Sequence, residues 1–145
     1  MLRIDMKTDI DRPPTTVFAL LAAPEREVEW QEGLTEARFT SEGPPGVGST
    51  GEDIRRFLGR RIVTTWQVTE YVPPARIGFR VVSGPMPFEG VFQLDALDQR
   101  TRLTYAVQVA TKGFARIFGP LTARVVRGQM SRQLAGLKRV LESES

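Results

Sequence analysis

Alternation between apolar and polar positions dominates the middle of the chain. Over four segments the apolar side chains recur at every second residue, the period of a β-strand with one buried face. The segments are residues 61–72, 76–83, 88–97 and 102–111. Only three or four residues separate each segment from the next, and such short turns predict an antiparallel meander.

The first third of the chain predicts further strands and two short helical elements. Strands are expected over residues 3–10, 34–40 and 49–58, a helix over 15–22, a second helical piece over 24–30, and a Gly- and Pro-rich loop over 41–48. Proline in a first helical turn and an apolar repeat of three to four residues support the helix. The phase of strand 49–58 is ambiguous, since neither of its faces is clearly apolar.

A long C-terminal helix is predicted from about Pro120 to Leu141. One apolar stripe, expected to pack on the sheet, comprises Ala123, Val126, Met130, Leu134, Leu137 and Leu141. A second apolar group on nearly the opposite side comprises Phe114, Phe118, Leu121 and Val125. This second group fits a core contact with the short helices, a ligand-facing or gating surface, or a dimer or membrane contact.

The absence of two residue types restricts the chemistry. The 145 residues include no cysteine and no histidine, which excludes thiol or histidine catalysis and the usual zinc and iron sites. Proton transfer is left to Asp, Glu, Tyr, Lys and Arg. We expect no cofactor and no metal site.

Charge and length add modest constraints. The net charge of +3 suits a nucleic-acid or anionic-membrane partner, but the arginines are dispersed and no aromatic residues interleave with them, so we expect no nucleic-acid binding. The N-terminal residues lack the apolar run of a signal peptide or spanning helix, which favours a cytoplasmic protein without a membrane span. The length suits one domain over residues 1–145.

The order of elements resembles a known superfamily. The residues that carry the resemblance include Ile10, Pro13, Val17, Phe18, Leu21, Trp30, Gly48, the segment 66–80 and the segment 101–105. The chain is similar to START and Bet v 1-like (SRPBCC) proteins, and in particular to bacterial polyketide cyclases/dehydrases and lipid-transport proteins. The resemblance implies an α+β helix-grip fold, in which a curved antiparallel sheet of about seven strands wraps around a long C-terminal helix.

The same resemblance implies a small hydrophobic ligand between the sheet and the C-terminal helix. The candidate ligand-binding residues are Trp30, Trp66, Phe79, Phe92, Tyr105, Phe118, Val126 and Met130. Each of them also fits plain core packing. A buried Tyr105 hydroxyl needs a hydrogen-bond partner, which a ligand or a backbone carbonyl would supply.

Catalysis would need an acid or base inside the cavity. The candidates are Tyr105, Glu70 and Arg56, joined by Glu52 or Asp53 if the ambiguous strand turns them inward. Solvated strand edges are the alternative interpretation of these charged residues.

Three functions stay open on this sequence. The leading hypothesis is a noncatalytic carrier or sensor of a lipid, polyketide or aromatic metabolite. The first alternative is a polyketide aromatase/cyclase or dehydratase. The second is a protein-interaction module or homodimer that uses the apolar first half of the long helix.

Overall fold

The structure of the protein, a computed structural model, describes residues 2–84, 87–109 and 119–144, without the side chains of residues 57 and 119–122. Its strands are β1 (Leu2–Ile10), β2 (Leu34–Phe39), β3 (Thr50–Phe57), β4 (Arg60–Val72), β5 (Arg76–Ser83), β6 (Phe88–Leu97) and β7 (Arg100–Val109). Each begins and ends within three residues of its predicted bounds.

The seven strands form one antiparallel sheet. Their spatial order is β1-β7-β6-β5-β4-β3-β2, so the first strand closes onto the last and the rest follow as a meander. The register pairs Ile4 with Val107 and Met6 with Tyr105 across β1 and β7. The predicted α+β helix-grip fold is confirmed.

The described residues also form three helical elements. They are α1 (Pro14–Leu21), a 3₁₀ helix (Pro24–Glu29) and the long C-terminal helix α2 (Gly119–Ser143). Proline stands in the first turn of both short elements, as the sequence predicted. No helix within residues 2–84, 87–109 and 119–144 is long and apolar enough to cross a membrane.

The core lies between α2 and the inner face of the sheet. Five of the six residues of the predicted stripe of α2 are buried, since Val126, Met130, Leu134, Leu137 and Leu141 are each at most 5% exposed, and Ala123 is half-buried. Helix α2 packs against β1 and the 3₁₀ helix. The inner face of β7 supplies Leu103, Tyr105, Val107 and Val109, which confirms the alternation of apolar and polar positions predicted for this strand.

Candidate functional site: an aromatic cavity with buried carboxyl groups

A cavity of about 90 Å³ lies between the inner face of the sheet and the 3₁₀ helix. Its aromatic wall consists of Phe39, Trp66, Phe79, Phe88, Phe92 and Tyr105. Its polar wall consists of Glu27, Gln31, Asp53, Arg55 and Gln133. The cavity is therefore apolar on most sides and strongly polar on one.

The aromatic wall is held by contacts between its own rings. Phe92 and Tyr105, opposite each other on β6 and β7, stack with ring centroids 4.1 Å apart. Phe79 meets Phe88 edge to face at 5.8 Å. Such pairs add stability beyond their buried area and fix the ring orientations. The wall is consequently formed before any ligand arrives.

Gly51 allows Trp66 to reach the polar wall. The two residues are paired across β3 and β4, and a Cβ atom on Gly51 would lie 2.1 Å from the Trp66 ring. The indole therefore lies over the glycine backbone, and its Nε1 donates a hydrogen bond to Asp53 Oδ1 at 2.8 Å. The missing side chain of Gly51 and the inward Asp53 together orient Trp66.

Glu27 enters the cavity because of the 3₁₀ helix. Side chains three residues apart eclipse each other in this helix type, so Pro24, Glu27 and Trp30 follow one edge. All three line the cavity. Gln31 Nε2 donates to Glu27 Oε2 at 3.1 Å, and Gln31 Oε1 in turn accepts from Arg55.

The two carboxyl groups of the polar wall are poised to bind protons. Burial, helped by the charge of Asp53 and opposed by that of Arg55, raises the pKa of Glu27 to about 8. Burial also raises the pKa of Asp53, although the hydrogen bond from Trp66 and the charge of Arg55 oppose it. Arg55 lies 3.7 Å from Asp53 Oδ2. At neutral pH Glu27 is therefore protonated, while Asp53 has Arg55 as its counter-charge.

The Trp30 indole lies at the cavity without a hydrogen bond. The residue is 5% exposed, and its buried Nε1 has no partner among the described residues. Gly136 of α2 allows this arrangement, since a Cβ atom there would lie 2.3 Å from the Trp30 carbonyl oxygen. Helix α2 therefore approaches the backbone of Trp30 closely, and the Trp30 side chain lies at the cavity.

The sequence matches a family model along almost its whole length. The model is described as "Polyketide cyclase / dehydrase and lipid transport", and it matches residues 1–142. The chain belongs to this family. None of the curated proteins matches the sequence significantly.

Solved structures of low sequence identity share the fold of this family member. The protein TTHA0849 from Thermus thermophilus has a TM-score of 0.80 at 17% identity, covering 99% of this chain and 100% of that one. A START superfamily protein from Mycobacterium smegmatis has a TM-score of 0.80 at 13% identity, covering 97% of both chains. The Zhui aromatase/cyclase from Streptomyces sp. R1128 has a TM-score of 0.79 at 16% identity, covering 97% and 93%. At these identities the likeness is one of fold.

Most of the predicted ligand-binding residues meet at the cavity. The structure places Trp30, Trp66, Phe79, Phe92 and Tyr105 on its walls. Their role toward a ligand remains a prediction.

The three predicted residues of the C-terminal region do not join this group. Val126 and Met130 are buried in the core and are not among the residues that line the cavity. Phe118 lies outside the described residues. For Val126 and Met130 core packing is therefore the interpretation that the geometry favours.

Two of the three predicted catalytic residues face away from the cavity. A bulge at Thr69 places Glu70 opposite Gly78 on the outer face, where it pairs with Arg76 at 3.0 Å. The expectation that Glu70 lies inside the cavity is wrong, because the unpaired Thr69 shifts the alternation and Glu70 does not follow Trp66 and Val68 to the inner face. Arg56 is exposed, and only Tyr105 of the three lies at the cavity.

The inward charges come instead from Asp53, Arg55 and Glu27. Strand β3 turns Asp53 and Arg55 to the cavity and leaves Glu52 outside, in an ion pair with Arg38 at 2.7 Å. Asp53 was one of the two open alternatives for this strand, whereas Glu27 and Arg55 were missed. The 3₁₀ spacing between Glu27 and the buried Trp30 is the signal that would have found Glu27.

Several further expectations from the sequence stay predictions. Of the second apolar group on the long helix, Phe114 and Phe118 lie outside the described residues, the side chain of Leu121 is not described, and Val125 is 49% exposed. The homodimer, the absence of a nucleic-acid partner or cofactor, and the cytoplasmic location are not tested by the fold. Within the described ranges no group of three or more Asp or Glu side chains could hold a metal ion.

Proposed function

We propose that the chain binds a small hydrophobic molecule in the aromatic cavity, as a carrier or sensor that leaves the molecule unchanged. The observation that carries the proposal is the wall of six aromatic side chains around an internal space. Apolar concave sites with a few convergent polar groups are the usual form of a small-molecule site. Membership of a family described in part by lipid transport supports the same class of ligand.

The size of the cavity narrows the ligand. Its volume of about 90 Å³ is below the roughly 300–1,000 Å³ typical of pockets for drug-sized ligands. It suits a single ring or the end of a longer molecule. Burying roughly 150 Å² of such a ring is worth about 4 kcal/mol, which corresponds to about millimolar affinity. Tighter binding would require the polar wall.

Native mass spectrometry tests this proposal. The protein is purified gently from its own cells and measured before and after denaturation. We expect a discrete small mass that is released on unfolding. The matched control is a Tyr105→Trp variant, whose larger side chain intrudes into the space beside Phe92 and should exclude the same mass. Retention of the mass by this variant would place the ligand elsewhere, and an empty wild-type protein would count against the carrier.

A second candidate function, a cyclase or dehydratase, is supported by the two buried carboxyl groups. Asp53 and Glu27 have raised pKa values in the same cavity. An ionised Asp53 would remove a proton from the carbon beside a ketone, and the resulting enolate carbon would attack a second carbonyl of the same molecule. Glu27 would donate its proton to the oxygen of the attacked carbonyl, which becomes a hydroxyl. In a dehydratase this hydroxyl would then leave as water.

Glu27→Gln separates the two candidates. The amide keeps the size and a donor but cannot transfer the proton. If the protein is an enzyme, turnover of a β-polyketone thioester is abolished while affinity at neutral pH stays nearly intact. If the wild-type protein binds such a substrate and returns it unchanged, the carrier is supported and the enzyme is rejected.

A further inference from the structure

Three side chains that line the cavity carry a hydrogen-bond donor for which the described residues supply no acceptor. The buried Trp30 Nε1–H has no partner among the described residues. The described residues likewise supply no hydrogen bond to the hydroxyl of the buried Tyr105, whose ring lines the cavity. The third donor is the protonated carboxyl of Glu27. One of its oxygens accepts a hydrogen bond from Gln31, and the other has no hydrogen bond to the described residues.

Two acceptor oxygens of the polar wall, in contrast, already receive hydrogen bonds from the protein. Asp53 Oδ1 accepts from Trp66 Nε1 at 2.8 Å, and its Oδ2 faces Arg55 at 3.7 Å. Gln31 Oε1 accepts from Arg55 and, at 3.4 Å, from Gln133 Nε2. The cavity therefore has unused donors, and two of its acceptor oxygens, Asp53 Oδ1 and Gln31 Oε1, are already occupied.

We infer that the cavity selects a ring-sized ligand that carries an acceptor oxygen, a ketone or phenol oxygen, held by Trp30, Tyr105 and the carboxyl of Glu27. The inference rests on the proposed function, because it names the polar group of the same ligand. Buried donors are normally satisfied, and an acceptor oxygen on the ligand would satisfy these. A purely aliphatic ligand would leave all three unsatisfied.

Charge distinguishes this ligand from its main rival, a cationic amine. An aromatic cavity with two carboxyl groups and one arginine could hold a cation if both carboxyl groups were ionised. An acceptor oxygen needs the proton of Glu27, whereas a cation needs it removed. The two ligand classes therefore predict opposite responses to pH.

The groups that face Glu27 bear on this response. They are Asp53 and Arg55 from β3 and Tyr105 from β7, while Glu25 precedes Glu27 on the same 3₁₀ helix. From α2 the cavity receives the uncharged Gln133. Arg55 cannot lose its charge at accessible pH and Tyr105 titrates far above neutrality, since burial raises its pKa. Loss of a proton near pH 8 is therefore assigned to Glu27, whose ionisation the neighbouring charge of Asp53 opposes.

The experiment uses three probes of matched shape with the intact protein. Acetophenone carries a carbonyl, ethylbenzene carries none, and 1-phenylethylamine carries a cation. Each is titrated by ligand-observed NMR between about pH 6 and about pH 9. We expect acetophenone affinity to fall above about pH 8 by about fivefold or more, the loss of one hydrogen bond. Ethylbenzene affinity should stay flat.

Variants at three cavity residues, with one control variant, attribute the effect to named groups. Glu27→Gln keeps a donor that does not titrate, so the acetophenone profile should become flat; the control Glu25→Gln, an exposed position on the same helix, should keep the pH dependence. Trp30→Phe removes the N–H and keeps an aromatic ring, and should weaken acetophenone about fivefold with little effect on ethylbenzene. If Trp30→Phe fails to fold, Tyr105→Phe replaces it. This variant keeps the ring stacked on Phe92, and it should likewise weaken acetophenone binding about fivefold with little effect on ethylbenzene.

The outcomes separate this inference from the proposed function. If all three probes fail to bind, the hydrophobic site itself is rejected. If acetophenone and ethylbenzene both bind with flat profiles and equal responses to Trp30→Phe, the site stands and the acceptor-oxygen ligand is rejected. A rise of 1-phenylethylamine affinity with pH, without a fall for acetophenone, would replace it with a cationic ligand.

Discussion

The two ends of the sheet's inner face treat their acidic groups in opposite ways. At the packed end, where β1 and β7 meet the last turns of α2, Leu103, Leu137 and Leu141 are fully buried and the acids stay outside. There the hydrogen bond from Arg102 lowers the pKa of Asp9. At the cavity end the acids Glu27 and Asp53 point inward, and burial raises their pKa values.

This difference indicates that the acidic groups lower the free energy of unfolding at the cavity end and not at the packed end. Ionised carboxyl groups at the packed end gain partners on folding, whereas those at the cavity end lose water. Buried groups of this kind reduce stability unless something else requires them. Under the proposed function, a ligand that contacts these groups accounts for their position beside the aromatic wall.

The largest expected effect contrasts two buried leucines on helices. Leu137 of α2 is 0% exposed in the packed end, while Leu21 of α1 lines the cavity. Leu137→Ala should lower the free energy of unfolding by about 2–5 kcal/mol, and Leu21→Ala by only about 1–2 kcal/mol, because Leu21 already faces a space without partner atoms. Urea unfolding of both variants measures the difference. Equal losses would mean that the cavity end is packed as tightly as the rest.

The second effect is the pH dependence of stability at the cavity end. The pKa of Glu27 is raised to about 8 in the folded chain, so its stabilising proton is fully present below its unfolded pKa and lost as pH rises through 8. Glu27→Gln should therefore unfold like the wild type near pH 5 but be more stable near pH 9, by a few kcal/mol.

Denaturant unfolding at both pH values checks this expectation, with Glu25→Gln as the control for losing a charge on the same helix. Glu25 is exposed, so its variant should follow the wild-type pH profile closely. If Glu27→Gln instead loses stability equally at both pH values, the carboxyl stabilises the fold through its hydrogen bond, and its charge does not destabilise the fold.

A third, smaller effect concerns the contact between Gly51 and Trp66. Gly51→Ala puts a methyl group where the indole lies, so Trp66 must move and lose its hydrogen bond to Asp53. We expect a loss of about 1–3 kcal/mol in unfolding free energy and a shifted tryptophan fluorescence maximum. Gly46→Ala, at a loop position with open space around it, is the control and should leave both unchanged. An unshifted maximum would mean that Trp66 has room that the structure does not show.

The packed end could be predicted from sequence because one physical rule decides it. The stripe of α2 and the inner faces of β6 and β7 follow regular periods of apolar residues, so residues such as Met130 and Leu103 were assigned to buried faces correctly. At the packed end the burial of apolar side chains alone is enough to predict which residues face inward.

The cavity end departs from that rule, and the sequence pattern fails at the same places. On β3 the inward residues Gly51, Asp53 and Arg55 are small or charged, so the strand has no apolar face to reveal its phase. The bulge at Thr69 inverted the phase of Glu70 without any mark in the apolar pattern. Charged residues that face inward leave no trace in the apolar pattern from which a strand's buried face is predicted.

The smallest effect belongs to the packed end and tests the opposite sign. Asp11 N–H donates to Glu142 Oε2 at 2.9 Å, and this hydrogen bond, with the charge of Lys138, lowers the pKa of Glu142. The stability that Glu142 contributes is present above its unfolded pKa and is lost as pH falls through its folded pKa. Glu142→Gln should therefore cost less than about 1 kcal/mol at neutral pH, since the group is partly exposed, and a smaller amount at acidic pH. Thermal unfolding at both pH values measures it, with the exposed Glu42→Gln as control. If Glu142→Gln instead behaved like Glu27→Gln, gaining stability at high pH, the acids of the two ends would not differ in the way their surroundings require.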